Sequence, residues 1–194
     1  RWFWLNKRIF DIIISTLLVP LLILFSCILL VLNTIYNPGK LFFIQNRMGK
    51  NCKPFKAIKF RSMVPAKEIT RKFDEPVETE RILVLGKIIR KCRIDELPQI
   101  INVLKGEMSL IGPRPDYYVH ALVYLKNVEG YRQRHDIRPG ITGLSQIRNG
   151  YAEGLEATEK KANIDNYYIQ NAGYFIDLKI ILNTIIIIIK GYGK

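Results

Sequence analysis

The chain has 194 residues, 48% of them hydrophobic, with 30 Lys plus Arg against 17 Asp plus Glu and a formal net charge of +13. That length suits one modest domain plus an accessory segment, with enough apolar content to bury a core. Three cysteines without paired spacing (Cys27, Cys52, Cys92) and two isolated histidines (His120, His135) argue against a disulfide framework and a metal cluster. The basic excess points to an anionic partner: nucleic acid, lipid headgroups or phosphorylated substrates. A solvated basic surface gives the same count.

Residues 12–32 are almost continuously apolar, close to the ~20 residues a helix needs to cross a bilayer. The run is longer than a signal-peptide core and has no cleavage site, so it reads as retained. Cys27 inside it reads as a small packed hydrophobe. Pro20 falls in its middle, where it removes one helix hydrogen bond and kinks or breaks the helix. Two arrangements follow: a kinked spanning helix, or a segment that bends at Pro20 and returns to the side it entered. Lys7 and Arg8 lie before the run, and Lys40, Arg47, Lys50, Lys53, Lys56 and Lys59 after it, so the positive-inside rule favours the return. Proline is also tolerated in spanning helices, and both arrangements stay open at this point.

Residues 41–49 read as a short strand entering a turn. Residues 55–61 alternate apolar and basic, a half-buried strand with Lys56 opposite in face to Phe55. Residues 65–80 are polar and read as a surface helix or loop. Residues 82–93 return to a helical period, with Leu85, Ile88 and Ile89 on one face.

Two adjacent carboxylates, Asp95 and Glu96, precede a stripe of Leu97, Ile100, Ile101 and Leu104 that Gly106 stops. Asp95 fits an N-cap, with Pro98 in the first turn. A carboxylate at a helix entrance among basic groups stays ionised and can act as nucleophile or metal ligand. Capping and chemistry are both open. Downstream, Gly112-Pro113-Arg114-Pro115 and Arg138-Pro139-Gly140-Ile141-Thr142-Gly143 each present an arginine on a stiffened turn. Arginine suits bidentate phosphate contact. The last apolar helix runs to Lys190. It is too short to span and is assigned to the core, with an interfacial edge.

These residues, in this order, resemble the small monotopic phosphoglycosyl transferases, also called bacterial sugar transferases. The resemblance covers nearly the whole chain. It rests on Lys7-Arg8-Ile9-Phe10-Asp11, Gln45-Asn46-Arg47 with Gly49, Lys59-Phe60-Arg61-Ser62-Met63 and Arg93-Ile94-Asp95-Glu96-Leu97-Pro98-Gln99. It continues through residues 102–109, the two arginine-proline blocks and Asp177-Leu178-Lys179.

The resemblance implies transfer of a sugar 1-phosphate from a UDP-sugar to undecaprenyl phosphate, releasing UMP. This would be the first membrane step of bacterial glycoconjugate assembly, as in exopolysaccharide or lipopolysaccharide biosynthesis. It implies Asp95 as nucleophile through a covalent aspartyl-phosphosugar, with Mg²⁺ bound near Asp95 and Glu96 beside it in an open role. The phosphate-binding candidates are Arg114, supported by Lys59, Arg61 and Arg138.

The expected fold is helix-rich α+β. Residues 1–36 form a re-entrant membrane helix broken at Pro20, and residues 37–194 a compact cytoplasmic catalytic domain with a few short strands, ending in an interfacial or core helix. The expected place is the cytoplasmic face of the bacterial inner membrane. The expected partners are UDP-sugar, undecaprenyl phosphate and phospholipid, without nucleic acid. A homo-oligomer and an N-terminal extension stay open. Many relatives carry Ser-Pro at the break, whereas here Val19 precedes Pro20, so the bend rests on Pro20 and polar groups such as Ser15 or Thr16. The rivals are a non-enzymatic basic membrane-anchored protein that binds anionic lipid or nucleic acid, and a spanning anchor with an external catalytic body.

Overall fold

The computed structural model describes residues 2–64, 75, 78–149 and 154–191. Most of the stretch expected as a surface helix or loop, 65–80, therefore lies outside the described residues. In chain order the elements are α1 (Trp2–Leu17), α2 (Val19–Tyr36), β1 (Phe42–Met48), β2 (Pro54–Phe60), α3 (Val84–Lys91), α4 (Gln99–Leu104) and β3 (Ser109–Ile111). Then follow α5 (Tyr118–Asn127), β4 (Gly140–Thr142), α6 (Leu144–Asn149), α7 (Leu155–Gln170) and α8 (Tyr174–Ile189). The helix-rich α+β expectation holds.

α1 and α2 part at Leu18, two residues before Pro20. The Leu18 amide still donates to the Ile14 carbonyl and the Leu22 amide to the Leu18 carbonyl, each at 3.0 Å. The ladder thus continues through the break, as at a proline kink. Ser15 Oγ is buried without a hydrogen-bond partner among the described residues, so Ser15 does not supply the polar support expected of it at the bend.

α1 is inverted relative to a helix of a water-soluble domain. Its buried residues are Lys7, Asp11 and Ser15, spaced four apart, while Trp2, Leu5, Ile9, Ile13 and Leu17 are exposed. Burying charge is tolerable only when it is paired. Lys7 Nζ donates to Asp177 Oδ2 at 2.5 Å, and the Tyr168 hydroxyl donates to Asp177 Oδ1 at 2.6 Å. Asp11 accepts the Leu110 amide at 3.0 Å. Arg8 donates to the Val103 carbonyl at 2.8 Å, at the negative end of α4. Polar residues therefore hold α1 to the body and leave its apolar surface outward.

α2 buries Leu22 and Leu29 against Phe60, Ile89 and Ile100. Val19, Phe25 and Leu32 are half-buried, and the remaining apolar side chains, Cys27 included, are exposed, so Cys27 is not a packed core residue. α2 is long and apolar enough to cross a membrane by length and composition. α8 buries only Asp177 and Ile180, and its remaining isoleucines and leucines are half-buried or open. One face of α8 joins the core as expected: Ile180 packs with Ile111, Leu144 and Tyr168, and Ile176 and Ile181 lie against them. The other face is open, and α8 sits beside α1, where Phe3 meets Tyr174 edge-on at 5.2 Å.

β1 and β2 form an antiparallel hairpin with Phe42 opposite Phe60 and Met48 opposite Pro54. Phe55 and Ala57 are buried on one face with Lys56 on the other, as the alternation requires, whereas Phe60, in phase with Lys56, is buried on the opposite face among Leu22, Leu29, Ile89 and Ile100. A side chain closes the free edge of β2. Asn102 Nδ2 donates to the Lys56 carbonyl at 2.7 Å, and Asn102 Oδ1 accepts the Ile58 amide at 3.1 Å. One carboxamide thus replaces a third strand at the edge.

β3 and β4 run parallel. Here the two arginine-proline blocks meet backbone to backbone. A Cβ on Gly140 would lie 2.0 Å from the Gly112 nitrogen, and one on Gly143 would lie 2.2 Å from the Gly112 oxygen. Only glycine allows that approach.

Candidate active site

α3 ends at Lys91, and Arg93 adopts a left-handed φ of 55° to turn the chain into a single 3₁₀ turn, Ile94–Glu96. A non-glycine residue in this conformation is held there by its surroundings. α4 begins only at Gln99, and no side chain caps it. The N-cap reading of Asp95 therefore fails: the carboxylate lies one turn too early and is not consumed by capping.

The two carboxylates occupy different environments. Glu96 is 4% exposed. Its Oε1 accepts Lys59 Nζ at 2.7 Å and Arg114 Nη2 at 2.5 Å, and Arg93 Nη1 stands 3.5 Å from Oε2. Burial would raise the Glu96 carboxyl, but Arg114 and Lys59 outweigh it and hold it well below the usual range. Asp95 is 9% exposed, and among the described residues it accepts no hydrogen bond and forms no ion pair. Burial pushes the Asp95 carboxyl up, Lys59 draws it back down, and the Glu96 charge pushes it up again. Basic surroundings alone do not set its state, as the sequence had suggested; burial wins. Glu96 collects the cations, and Asp95 is left unshared beside them with raised basicity. That is the arrangement a carboxylate nucleophile needs.

Of the residues singled out in the sequence, the structure brings Asp95, Glu96, Lys59 and Arg114 together. Arg61 and Arg138 are engaged elsewhere. Arg61 donates to the carbonyls of Lys40 at 2.8 Å, Asn37 at 2.5 Å and Pro38 at 2.9 Å, and Asn37 Nδ2 donates back to the Arg61 carbonyl at 3.0 Å. It laces the exit of α2 to the end of β2. Arg138 Nε donates to the Gly106 carbonyl at 2.8 Å. Arg138 also lines a cavity of about 230 Å³ with Trp4, Arg8, Lys50 and Asp136, which neither Asp95 nor Glu96 lines. Pro20 is the second residue of α2, just past the break between α1 and α2 at Leu18.

Sequence reasoning missed Arg93, which supplies the turn and a cation, and Asn102. It also missed a second, sealed cluster. Arg134 is 1% exposed and pairs with Asp165 at 2.7 Å and with Asp116. Lys161 pairs with Asp116 at 2.5 Å, and the Tyr131 hydroxyl donates to Asp116 at 2.7 Å. Although burial opposes it, Lys161 and Arg134 drive the Asp116 carboxyl far below its ordinary range. Beside this cluster, burial and then the Arg134 charge push His135 down to about 3, so it is neutral near pH 7. Residues 131–138 carry three arginines, and no local pattern tells the buried one from the others.

The family model for bacterial sugar transferases matches residues 2–191. The chain belongs to the bacterial sugar transferase family. It is similar, at 41% identity over 190 residues, to a UDP-N-acetylgalactosamine-undecaprenyl-phosphate N-acetylgalactosaminephosphotransferase of Aeromonas hydrophila; the match covers 96% of this chain and 44% of that protein. It is 41% identical over 184 residues to a UDP-glucose:undecaprenyl-phosphate glucose-1-phosphate transferase of Klebsiella pneumoniae, covering 92% of this chain and 39% of that one. An exopolysaccharide production protein of Rhizobium leguminosarum is 37% identical over 190 residues, covering 93% of each. The chain thus spans less than half of the first two relatives and nearly all of the third. The matched span includes both carboxylates, the cations around them, and the segment from α1 to α8.

Among the described residues no group of three or more His, Cys, Asp or Glu side chains could hold a metal ion. A site for Mg²⁺ would rest on Asp95 as its protein carboxylate. That suits a cation commonly held by one or two carboxylates plus substrate phosphates.

Proposed function

We propose that this protein transfers a sugar 1-phosphate from a UDP-sugar to undecaprenyl phosphate and releases UMP, as a membrane step of bacterial glycoconjugate assembly. The unshared Asp95 carboxylate, set beside the cation group that Glu96 holds, is the observation that carries this reading.

An Asp95 oxygen attacks the β-phosphorus of the UDP-sugar. The bond from that phosphorus to the bridging oxygen breaks, and UMP departs with the oxygen. The product on the enzyme is an aspartyl-phosphosugar. An oxygen of undecaprenyl phosphate then attacks the same phosphorus, and the Asp95 carboxylate leaves. Charge balances in both steps without a proton transfer. Lys59 and Arg114 are placed to offset the charge that gathers when anions meet at one phosphorus. Glu96 positions both cations and stays ionised while it does so. Asp95, together with the substrate's phosphates, would hold Mg²⁺. When bound, that ion would offset charge on the diphosphate.

The α1–α2 unit acts here as a re-entrant anchor on the cytoplasmic face of the inner membrane. Two observations support this. Lys7, Arg8 and Asp11 near its start, and Asn37 just past its end, all bond to the same body. Basic residues flank both ends, which favours retention on the cytoplasmic side.

The test is UMP release from a panel of UDP-sugars with undecaprenyl phosphate, comparing wild type with Asp95→Asn. The expected result is turnover with at least one sugar and a loss of at least ~10³-fold in the variant. Retained turnover in Asp95→Asn would remove the nucleophile assignment.

A further inference from the structure

We infer that Arg134 and Arg47 are positioning residues that aim Arg114 at the carboxylate site by holding the carbonyls of the Pro113–Asp116 turn; this rests on the function proposed above. The turn contains two prolines and no helix or strand of its own. Three segments, namely β1, β4 and the 133–135 turn, nevertheless anchor its four successive carbonyls. The Gly140 amide donates to the Pro113 carbonyl at 2.9 Å. Arg134 Nη2 donates to the Arg114 carbonyl at 2.8 Å. Arg47 Nη1 donates to the Pro115 carbonyl at 3.1 Å. The Met48 amide donates to the Asp116 carbonyl at 3.0 Å.

With its backbone fixed this way, Arg114 reaches Glu96 at 2.5 Å. Arg134 is itself immobilised, because its other nitrogens are committed to Asp116 and to Asp165 on α7. A guanidinium can bridge two carboxylates and a carbonyl at once because its donors form a fixed planar fork, which an ammonium cannot reproduce. The sealed cluster is thereby connected to the open one through the backbone of a single residue. Displacements of about one ångström at a charge-stabilising group cost roughly 10²-fold in rate.

The experiment is a double-mutant cycle on UMP release in the full chain, using Arg134→Lys, Arg114→Met and the pair. Arg134→Lys keeps the buried charge but loses the fork. The expected loss for Arg134→Lys alone is roughly 10- to 100-fold in kcat/KM. In the double variant the loss should be no greater than for Arg114→Met alone, because Arg134 acts through Arg114. Losses that multiply would overturn the inference.

Arg47→Leu removes the contact to the Pro115 carbonyl, outside the sealed cluster. It should show the same non-additivity with Arg114→Met, which covers the case in which Arg134→Lys fails to fold. Hydrogen exchange gives a substrate-free readout on the same proteins. Arg134→Lys should speed exchange at the amides of residues 114, 116 and 117 and leave α8 unchanged, whereas uniform acceleration would contradict the positioning role. If wild type releases no UMP, the proposed reaction fails and the exchange result still decides whether Arg134 holds the turn.

Discussion

The molecule holds two clusters of carboxylates and cations, and they differ in one respect. In the sealed cluster, Asp116 and Asp165 share Arg134, while Lys161 and Tyr131 also bond Asp116, and both carboxylates are engaged. In the open cluster, Lys59 and Arg114 both turn to Glu96, and among the described residues Asp95 has no hydrogen-bond or ion-pair partner. The sealed arrangement saturates charge and fixes backbone. The open one keeps a basic carboxylate next to cations that are committed to its neighbour. Burial and net charge are similar in kind, so the placement of donors separates scaffold from chemistry.

If that contrast is real, substitutions should divide into those that cost folding and those that cost turnover. The largest folding effect is expected for Arg134→Met, which leaves two buried carboxylates without their shared cation. About 3–5 kcal/mol of stability should be lost, read from denaturant unfolding of detergent-solubilised protein. A loss below ~1 kcal/mol would mean that the cluster is not what fixes the fold there.

Glu96→Gln should reverse the balance. Lys59 and Arg114 side chains are each 17% exposed and can turn to water, so a smaller loss of about 1–2 kcal/mol is expected. Turnover should nonetheless fall roughly 10²-fold, because the cations lose their register. Equal effects on stability and rate would erase the distinction between the clusters.

Acid sharpens it further. The unfolded chain protonates His135 below its ordinary 6.5, whereas the folded chain waits until about 3. Between those values the unfolded state binds the extra proton, so stability falls as pH falls, by about 1.4 kcal/mol per pH unit inside the window. His135→Phe should flatten that slope.

The smallest effect belongs to Arg61. Loss of its three carbonyl contacts in Arg61→Met should cost about 1–2 kcal/mol of stability and leave the KM for UDP-sugar within about twofold. A large rise in KM would return Arg61 to the substrate.

Much of the fold was legible because periodicity is local. The burial of Phe55 and Ala57 around exposed Lys56, the break in the apolar run near Pro20, and the stop at Gly106 with φ of +83° all appear as the residues suggest. Asp95 and Glu96 stood out as a pair, but their separate environments depend on Lys59 and Arg114, which arrive from 37 and 18 residues away. Asn102 looked like one polar residue on a helix until β2 was placed beside it. Arg134 carried no signal among its neighbouring arginines, because its burial is decided by Asp116 and Asp165. α8 shows the same limit: an isoleucine run does not say which of its faces is buried, and Ile180 packs inward while Ile185, Ile186 and Ile189 are exposed.

The central claim is that Asp95 is the unshared carboxylate that accepts the phosphosugar. Intact-protein mass spectrometry after mixing the enzyme with an accepted UDP-sugar, without undecaprenyl phosphate, tests it most directly. The account predicts a mass increase of one sugar phosphate, located on the peptide that carries Asp95 and absent from Asp95→Asn. An adduct on another residue would contradict it. So would UMP release that begins only on adding undecaprenyl phosphate and leaves no adduct.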